Sequence, residues 1–177
     1  MILLFRPLAL ALLVALALVL FAYPQMGMSE TTQTFDLSGS VVVTRVSDGD
    51  SLRSGKLKIR LFGIDAPEIK QQCKDANGNG WPCGEAAQQA LQKIVDSADA
   101  LTCKLHDVDH YGRLIMQCFA GDTDIGATLV GNGLALAYRD YSTVYVGAET
   151  NAANAKLGIW RGSFMPPWEW RREWRRQ

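Results

Sequence analysis

VVVTRVSDGDSLRSGKLKIRLFGIDAPE, residues 41–68, decides the fold. Val41 to Val46 is β-branched and reads as a strand, and Asp48-Gly49-Asp50 is a turn signal. Ser54-Gly55 then separates a second short strand from a third at Lys56 to Phe62. Three strands in so short a stretch predict a β-meander. Downstream, Gly84 to Ala98 places Ala87, Leu91, Ile94, Val95 and Ala98 on one face of a helix. A hairpin is expected over residues 100–119. Two further helical patterns, Thr123 to Asn132 and Val146 to Leu157, flank the segment Leu134 to Tyr145. Strands, one helix, a hairpin and then helices predict an α+β domain: a small antiparallel barrel with helices packed against it. No internal repeat is present.

At 177 residues the chain has room for one domain plus short appendages, and 48% apolar against 20% charged residues excludes a disordered or fibrous chain. Its zero net charge hides a division by position. Residues 30–160 carry 16 acidic and 12 basic side chains, whereas residues 161–177 carry five arginines against two glutamates. A long-range positive field therefore cannot bring an anionic polymer to the core.

Residues 8–22, LALALLVALALVLFA, form an apolar run preceded by Arg6 and ended by Tyr23-Pro24. Fifteen residues is short of the roughly 20 needed for a bilayer span and suits a secretory signal. Residues 1–23 are thus expected to be a signal peptide or a retained membrane anchor, and the chain to be exported: periplasmic, secreted or anchored facing outside the cytoplasm. The polar residues 24–37 read as a linker, 38–165 as the folded domain and 166–177 as a Trp/Arg-rich tail. In an oxidising compartment the four cysteines pair by default. Cys103 and Cys118 stand equally far from the turn Asp109-His110-Tyr111-Gly112, so a symmetric hairpin sets them opposite each other. Cys73 and Cys83 bracket the Gly-rich segment between them and would close it as a small loop. With no C-x-x-C pair and only two histidines, a zinc site is disfavoured.

The acids Asp48, Asp50, Asp65 and Glu68 fall in the turns after the first and third strands, which emerge at the same end of a meander. Two distant carboxylates can therefore converge, and hard oxygen donors of this kind favour calcium or magnesium. Taken singly, each acid is equally at home in ordinary turn chemistry. Arg60 lies in a strand otherwise made for burial and requires an acidic or anionic partner. Arg113 begins the strand after the hairpin turn. Two guanidiniums, a hard cation and a carboxylate meet the needs of phosphodiester hydrolysis, but a structural ion pair explains each arginine as readily.

The segments VSDGDSL (46–52), RLFGIDAPE (60–68), DHYGR (109–113), LVGNGLALAY (129–138), the lone Glu149 and KLGIW (156–160) resemble, in order and spacing, the thermonuclease (staphylococcal nuclease-like) family. The match runs over about residues 38–162. It implies a five-stranded OB-fold barrel with three packed helices, and calcium-dependent cleavage of DNA and RNA. By position in these motifs, Asp50 and Asp65 correspond to carboxylate metal ligands and Ala66 to a backbone-carbonyl ligand. Glu68 corresponds to the general base, and Arg60 and Arg113 to the guanidiniums that stabilise the transition state. Tyr111 corresponds to a contact with a terminal phosphate, and Tyr138 to a residue packing on the nucleoside. His110 replaces the lysine of well-studied members beside that tyrosine, which implies weaker or pH-dependent terminal-phosphate binding. All five side-chain roles are filled by the right residue type, against the alternative of an OB-type module that binds single strands without cutting them. The chain is expected to be a monomer.

The tail MPPWEWRREWRRQ, if helical after Pro167, sets Trp170 and Trp174 four residues apart on one face and makes adjacent basic rows. It reads as a solvated tail, a membrane-surface segment or a nucleic-acid arm.

Overall fold

The computed structural model describes residues 38–176. The expected signal or anchor and the linker lie outside the described residues. Within them, alternation fixes the sheet faces. In β4 (Leu57–Leu61), Ile59 and Leu61 are buried in the core while Arg60 between them points to the other side.

The main sheet runs β1 (Ser38–Val41), β8 (Leu101–Val108), β9 (Leu114–Ala120), β4, β3 (Ser51–Ser54), β2 (Arg45–Val46), with β10 (Thr123–Asp124) added beside β9, while the short strands β6 (Cys73–Lys74) and β7 (Gly80–Trp81) pair with each other outside it. β1 and β2 are two halves of one bent strand. Its first half pairs with β8, Ser38 opposite Lys104, and its second with β3, Arg45 opposite Arg53. That strand thus reaches both edges of the sheet and curls it, consistent with the OB-like fold that the family resemblance implies. The barrel is not wholly antiparallel. β4 and β9 run parallel, with Ile59 opposite Leu114, because the chain passes through a helix and β8 before returning beside β4.

The three expected helices are α1 (Cys83–Asp96), α2 (Ile125–Gly131) and α3 (Val146–Asn154), and a fourth, α4 (Pro167–Trp174), forms in the tail. α3 stops short of Leu157, and a 3₁₀ turn covers Gly158–Arg161. Asp124 caps α2 by accepting from the Ala127 N–H. α1 buries Ala87, Leu91 and Val95 against Val46, Leu52, Ile59 and Leu61 in the main core. A smaller apolar cluster of Cys73, Cys83, Leu136 and Ile159 takes Trp81, Trp160, Phe164 and Trp168 against it and seats the start of the C-terminal helix.

Both disulfides form, Cys73–Cys83 and Cys103–Cys118. Cys103 does face Cys118, although the hairpin is not symmetric. The Asp109 N–H donates to the Arg113 carbonyl, which leaves a three-residue loop with Gly112 at positive φ. The ladder then shifts by one residue between Leu105 and Asp107. That bulge restores the register that symmetry about the turn required. The Cys103–Cys118 bridge closes a 15-residue separation, and both sulfurs are buried. Replacing both cysteines by alanine should therefore cost about 3 kcal/mol in urea unfolding; an unmoved midpoint would contradict this.

Candidate active site

Asp50 follows the turn between β2 and β3, where its N–H donates to Asp48 Oδ1 at 3.1 Å. Asp65 ends β5 (Ile64–Asp65), a short strand paired with β11 (Leu136–Ala137) so that Leu136 faces Asp65. Both carboxylates are buried, Asp50 at 3% and Asp65 at 0% exposure. Arg60 joins them: Nη1 donates to Asp50 Oδ1 at 3.0 Å and Nη2 to Asp65 Oδ1 at 2.6 Å. Burial alone would lower the guanidinium's pKa, but the charges of Asp50 and Asp65 outweigh it and hold Arg60 above its ordinary value. Asp50 Oδ2 accepts the Ala66 N–H at 3.0 Å, and Ser51 Oγ donates to Asp50 Oδ1 at 2.9 Å. The convergence expected of the two turns is thus realised, with Arg60 as its hinge. Asp48 serves as a turn acceptor beside this group, its carboxyl pushed up to about 7 by burial and by the Asp50 charge.

Glu68 stands on the turn after Asp65. Its N–H donates to Gln71 Oε1 and its carbonyl accepts the Gln71 N–H. This turn is pinned from behind. Gln71 is fully buried, the Gly84 N–H at the start of α1 donates to the Gln71 carbonyl, and the Cys73–Cys83 bridge closes the loop just beyond. A Cβ on Gly84 would meet the Glu68 carbonyl oxygen at 1.7 Å. Gly84→Ala must therefore push the Glu68 turn away. A misplacement of about 1 Å costs on the order of 10²-fold in turnover, which a kinetic comparison of the folded variant with wild type will show or refute.

Glu149, quoted for its place in the motif, is structural. One oxygen accepts the Ala137 N–H at 2.9 Å and the other pairs with Arg139. It holds β11, which in turn holds the strand carrying Asp65. Tyr138 continues β11, with its N–H donating to the Gly63 carbonyl at 2.9 Å. Burial and then the Asp65 charge raise its phenol pKa.

The hairpin residues stand apart from this group. Arg113 Nε donates to Asp109 Oδ2 at 2.7 Å, and its guanidinium lies 5.5 Å from the Tyr111 ring centre. Burial would raise the Asp109 pKa, but hydrogen bonds from the Arg113 and Tyr111 backbone and the Arg113 side chain hold it below its ordinary value. Tyr111 is largely exposed, and the His110 ring leans on it at 3.8 Å. No contact joins Arg113, Tyr111 or His110 to Asp50, Asp65 or Glu68 among the described residues. The Arg113 Nη groups have no hydrogen-bond partner there and remain open to an anion.

Two residues near the acids carry no sequence signal of their own. Gln71 reaches from the Glu68 turn to the tail, its Nε2 donating to the Met165 carbonyl at 2.6 Å. Arg171, within the basic rows of α4, pairs with Asp65 and Glu68. The tail is therefore a docked helix, with Trp170 and Trp174 stacked at 5.0 Å.

Comparison with known proteins identifies the family. The staphylococcal nuclease homologue family matches residues 58–162. An uncharacterized endonuclease of Escherichia coli O157:H7 is 31% identical over 166 residues, covering 89% of this chain and 95% of that protein. The succinoglycan biosynthesis protein ExoI of Rhizobium meliloti is 31% identical over 118 residues, 66% of this chain and 62% of its own. A probable staphylococcal-like nuclease of Oryza sativa, CAN2, is 29% identical over 129 residues, 71% of this chain. The chain spans only 32% of that rice protein. This chain belongs to the staphylococcal nuclease homologue family.

Proposed function

We propose that this chain is an exported, monomeric nuclease that uses calcium to hydrolyse the phosphodiester bonds of DNA and RNA without regard to the sugar. The observation that carries the reading is the buried Asp50–Arg60–Asp65 group beside Glu68. Family membership and endonuclease-named relatives support it.

The donors suit calcium. Asp50 and Asp65 are hard oxygen donors in a dry setting, where Arg60 and Arg171 already set positive charge against them. No cluster of three or more His, Cys, Asp or Glu suited to a metal occurs among the described residues. The Ala66 carbonyl and water must then complete a shell of about six to eight oxygens. What a bound calcium ion supplies here is polarisation of a non-bridging phosphate oxygen. Glu68 takes the proton from the attacking water. Arg60, fixed at both Nη groups, needs no reorganisation to meet the charge that develops on the phosphorus oxygens. Arg113, held through Nε, offers its Nη groups to the phosphate from the hairpin side. Tyr138 flanks the nucleoside, and Tyr111 with His110 meets a terminal phosphate. The apolar run at residues 8–22 and the two disulfides support export.

The test is release of acid-soluble fragments from single-stranded DNA and from RNA by the oxidised full chain, with calcium, magnesium or EDTA. Cleavage of both polymers with calcium and none in EDTA is expected. Retained binding without cleavage under any divalent metal would make the chain a non-catalytic OB-type binding module.

A further inference from the structure

The C-terminal helix brings a further guanidinium onto the proposed site. Arg171 Nη1 and Nη2 donate to Asp65 Oδ1 and Oδ2 at 3.0 and 2.8 Å, and Nη1 also donates to Glu68 Oε1 at 2.8 Å. One fork thus takes both oxygens of a proposed metal ligand and one oxygen of the proposed base. The same helix lays Trp168 parallel to Tyr138, with ring centres 6.0 Å apart and planes 4° from coplanar. It therefore lies against the ring proposed to pack on the nucleoside.

The helix is anchored beside the acids. Gln71 holds Met165, and the backbones of Lys74 and Ser163 bond to each other in both directions. The Lys70 ammonium sits 5.6 Å from the Trp174 ring centre. Arg171 and Arg60 converge on the same Asp65 oxygen, so two guanidiniums already stand where a cation would sit.

We infer that α4 is an intramolecular occluder of the site: Arg171 occupies the cation position between Asp65 and Glu68, Trp168 covers Tyr138, and a divalent cation must displace the helix to bind. The inference rests on the reading of Asp65 as a metal ligand. A divalent ion and the Arg171 fork compete for the same two carboxylate oxygens. Each therefore weakens the other by the same factor. Expelling Arg171 also frees Glu68 and uncovers Tyr138, so cation binding would open the base and the nucleoside face together.

The experiment is calorimetric titration of calcium into the chelator-stripped full chain, comparing wild type, Arg171→Ala, Arg171→Lys and Arg172→Ala. Arg172 is the control, because it pairs with Glu169 on the same helix and is largely exposed. Arg171→Ala should bind calcium about 5- to 150-fold more tightly than wild type, the usual range for coupled sites. Arg171→Lys, which keeps the charge but loses the fork, should lie between them, and Arg172→Ala should match wild type. Calcium should also change the tryptophan fluorescence of wild type as Trp168 leaves Tyr138. Calcium binding that is equal or weaker in Arg171→Ala overturns the inference while leaving the metal site standing. No calcium binding in any of the four proteins overturns the metal site and the inference together. Should the alanine variant fail to fold, Arg171→Lys decides: tighter binding than wild type supports the inference, and equal binding overturns it.

Discussion

Arg60→Ala is expected to lose about 10²- to 10³-fold in turnover, the usual cost of removing one donor that stabilises transition-state charge. The structure adds a second expectation. Arg60 separates two buried carboxylates and gives each a hydrogen bond. Without it, Asp50 and Asp65 face each other with less positive charge between them, and breaking a buried pair typically costs about 3–5 kcal/mol. The variant should therefore melt well below wild type in EDTA. Calcium, bound only by the folded state, should recover part of that difference. Turnover should stay low with calcium present, because the ion restores the charge balance of the acids but not the guanidinium aimed at the phosphate. An Arg60→Ala protein that cuts at the wild-type rate would remove Arg60 from the mechanism.

Glu68→Gln should reduce turnover by about 10²- to 10⁴-fold, the span of a lost general base. The amide cannot take a proton from water, yet it has nearly the carboxylate's shape. Its backbone stays pinned by Gln71, so the turn keeps its place. Glu68 is also more exposed, its side chain at 28% against 4% for Asp50 and 0% for Asp65, so its neutralisation should change stability far less than Arg60→Ala does. Oligonucleotide binding should survive while cleavage does not. Equal losses in binding and turnover would instead make Glu68 an electrostatic or structural residue.

Local chemistry made much of this legible beforehand. The turns at Asp48–Asp50 and Gly63–Glu68 are written in residues that favour turns, and the parity of a meander puts both at one end. The Cys103–Cys118 pairing was legible from distance to the turn, though it holds only because the one-residue bulge between Leu105 and Asp107 offsets the one-residue asymmetry of the loop. The parallel pairing of β4 with β9 was not legible, since it depends on how distant strands close a barrel. Glu149 carried a motif position but no visible task. Its bond to Ala137 becomes meaningful only when β11 is seen beside β5. Arg171 was hidden for a different reason. Five arginines in the last 17 residues read as a solvated tail, a membrane-surface segment or a nucleic-acid arm, and what singles out Arg171 is the seating of α4 through Met165, Ser163 and Trp168, which are contacts to segments about 90 residues earlier or to Tyr138.

The most direct test sets wild type, Arg60→Ala and Glu68→Gln side by side on single-stranded DNA, with calcium and with EDTA, measuring fragment release and oligonucleotide affinity on the same preparations. Calcium-dependent cleavage at full rate by wild type and at rates at least about 10²-fold lower by both variants, with affinity preserved in Glu68→Gln, is the predicted result. Cleavage that persists in EDTA, or that runs near the wild-type rate in either variant, would contradict the assignment of the chemistry to these residues.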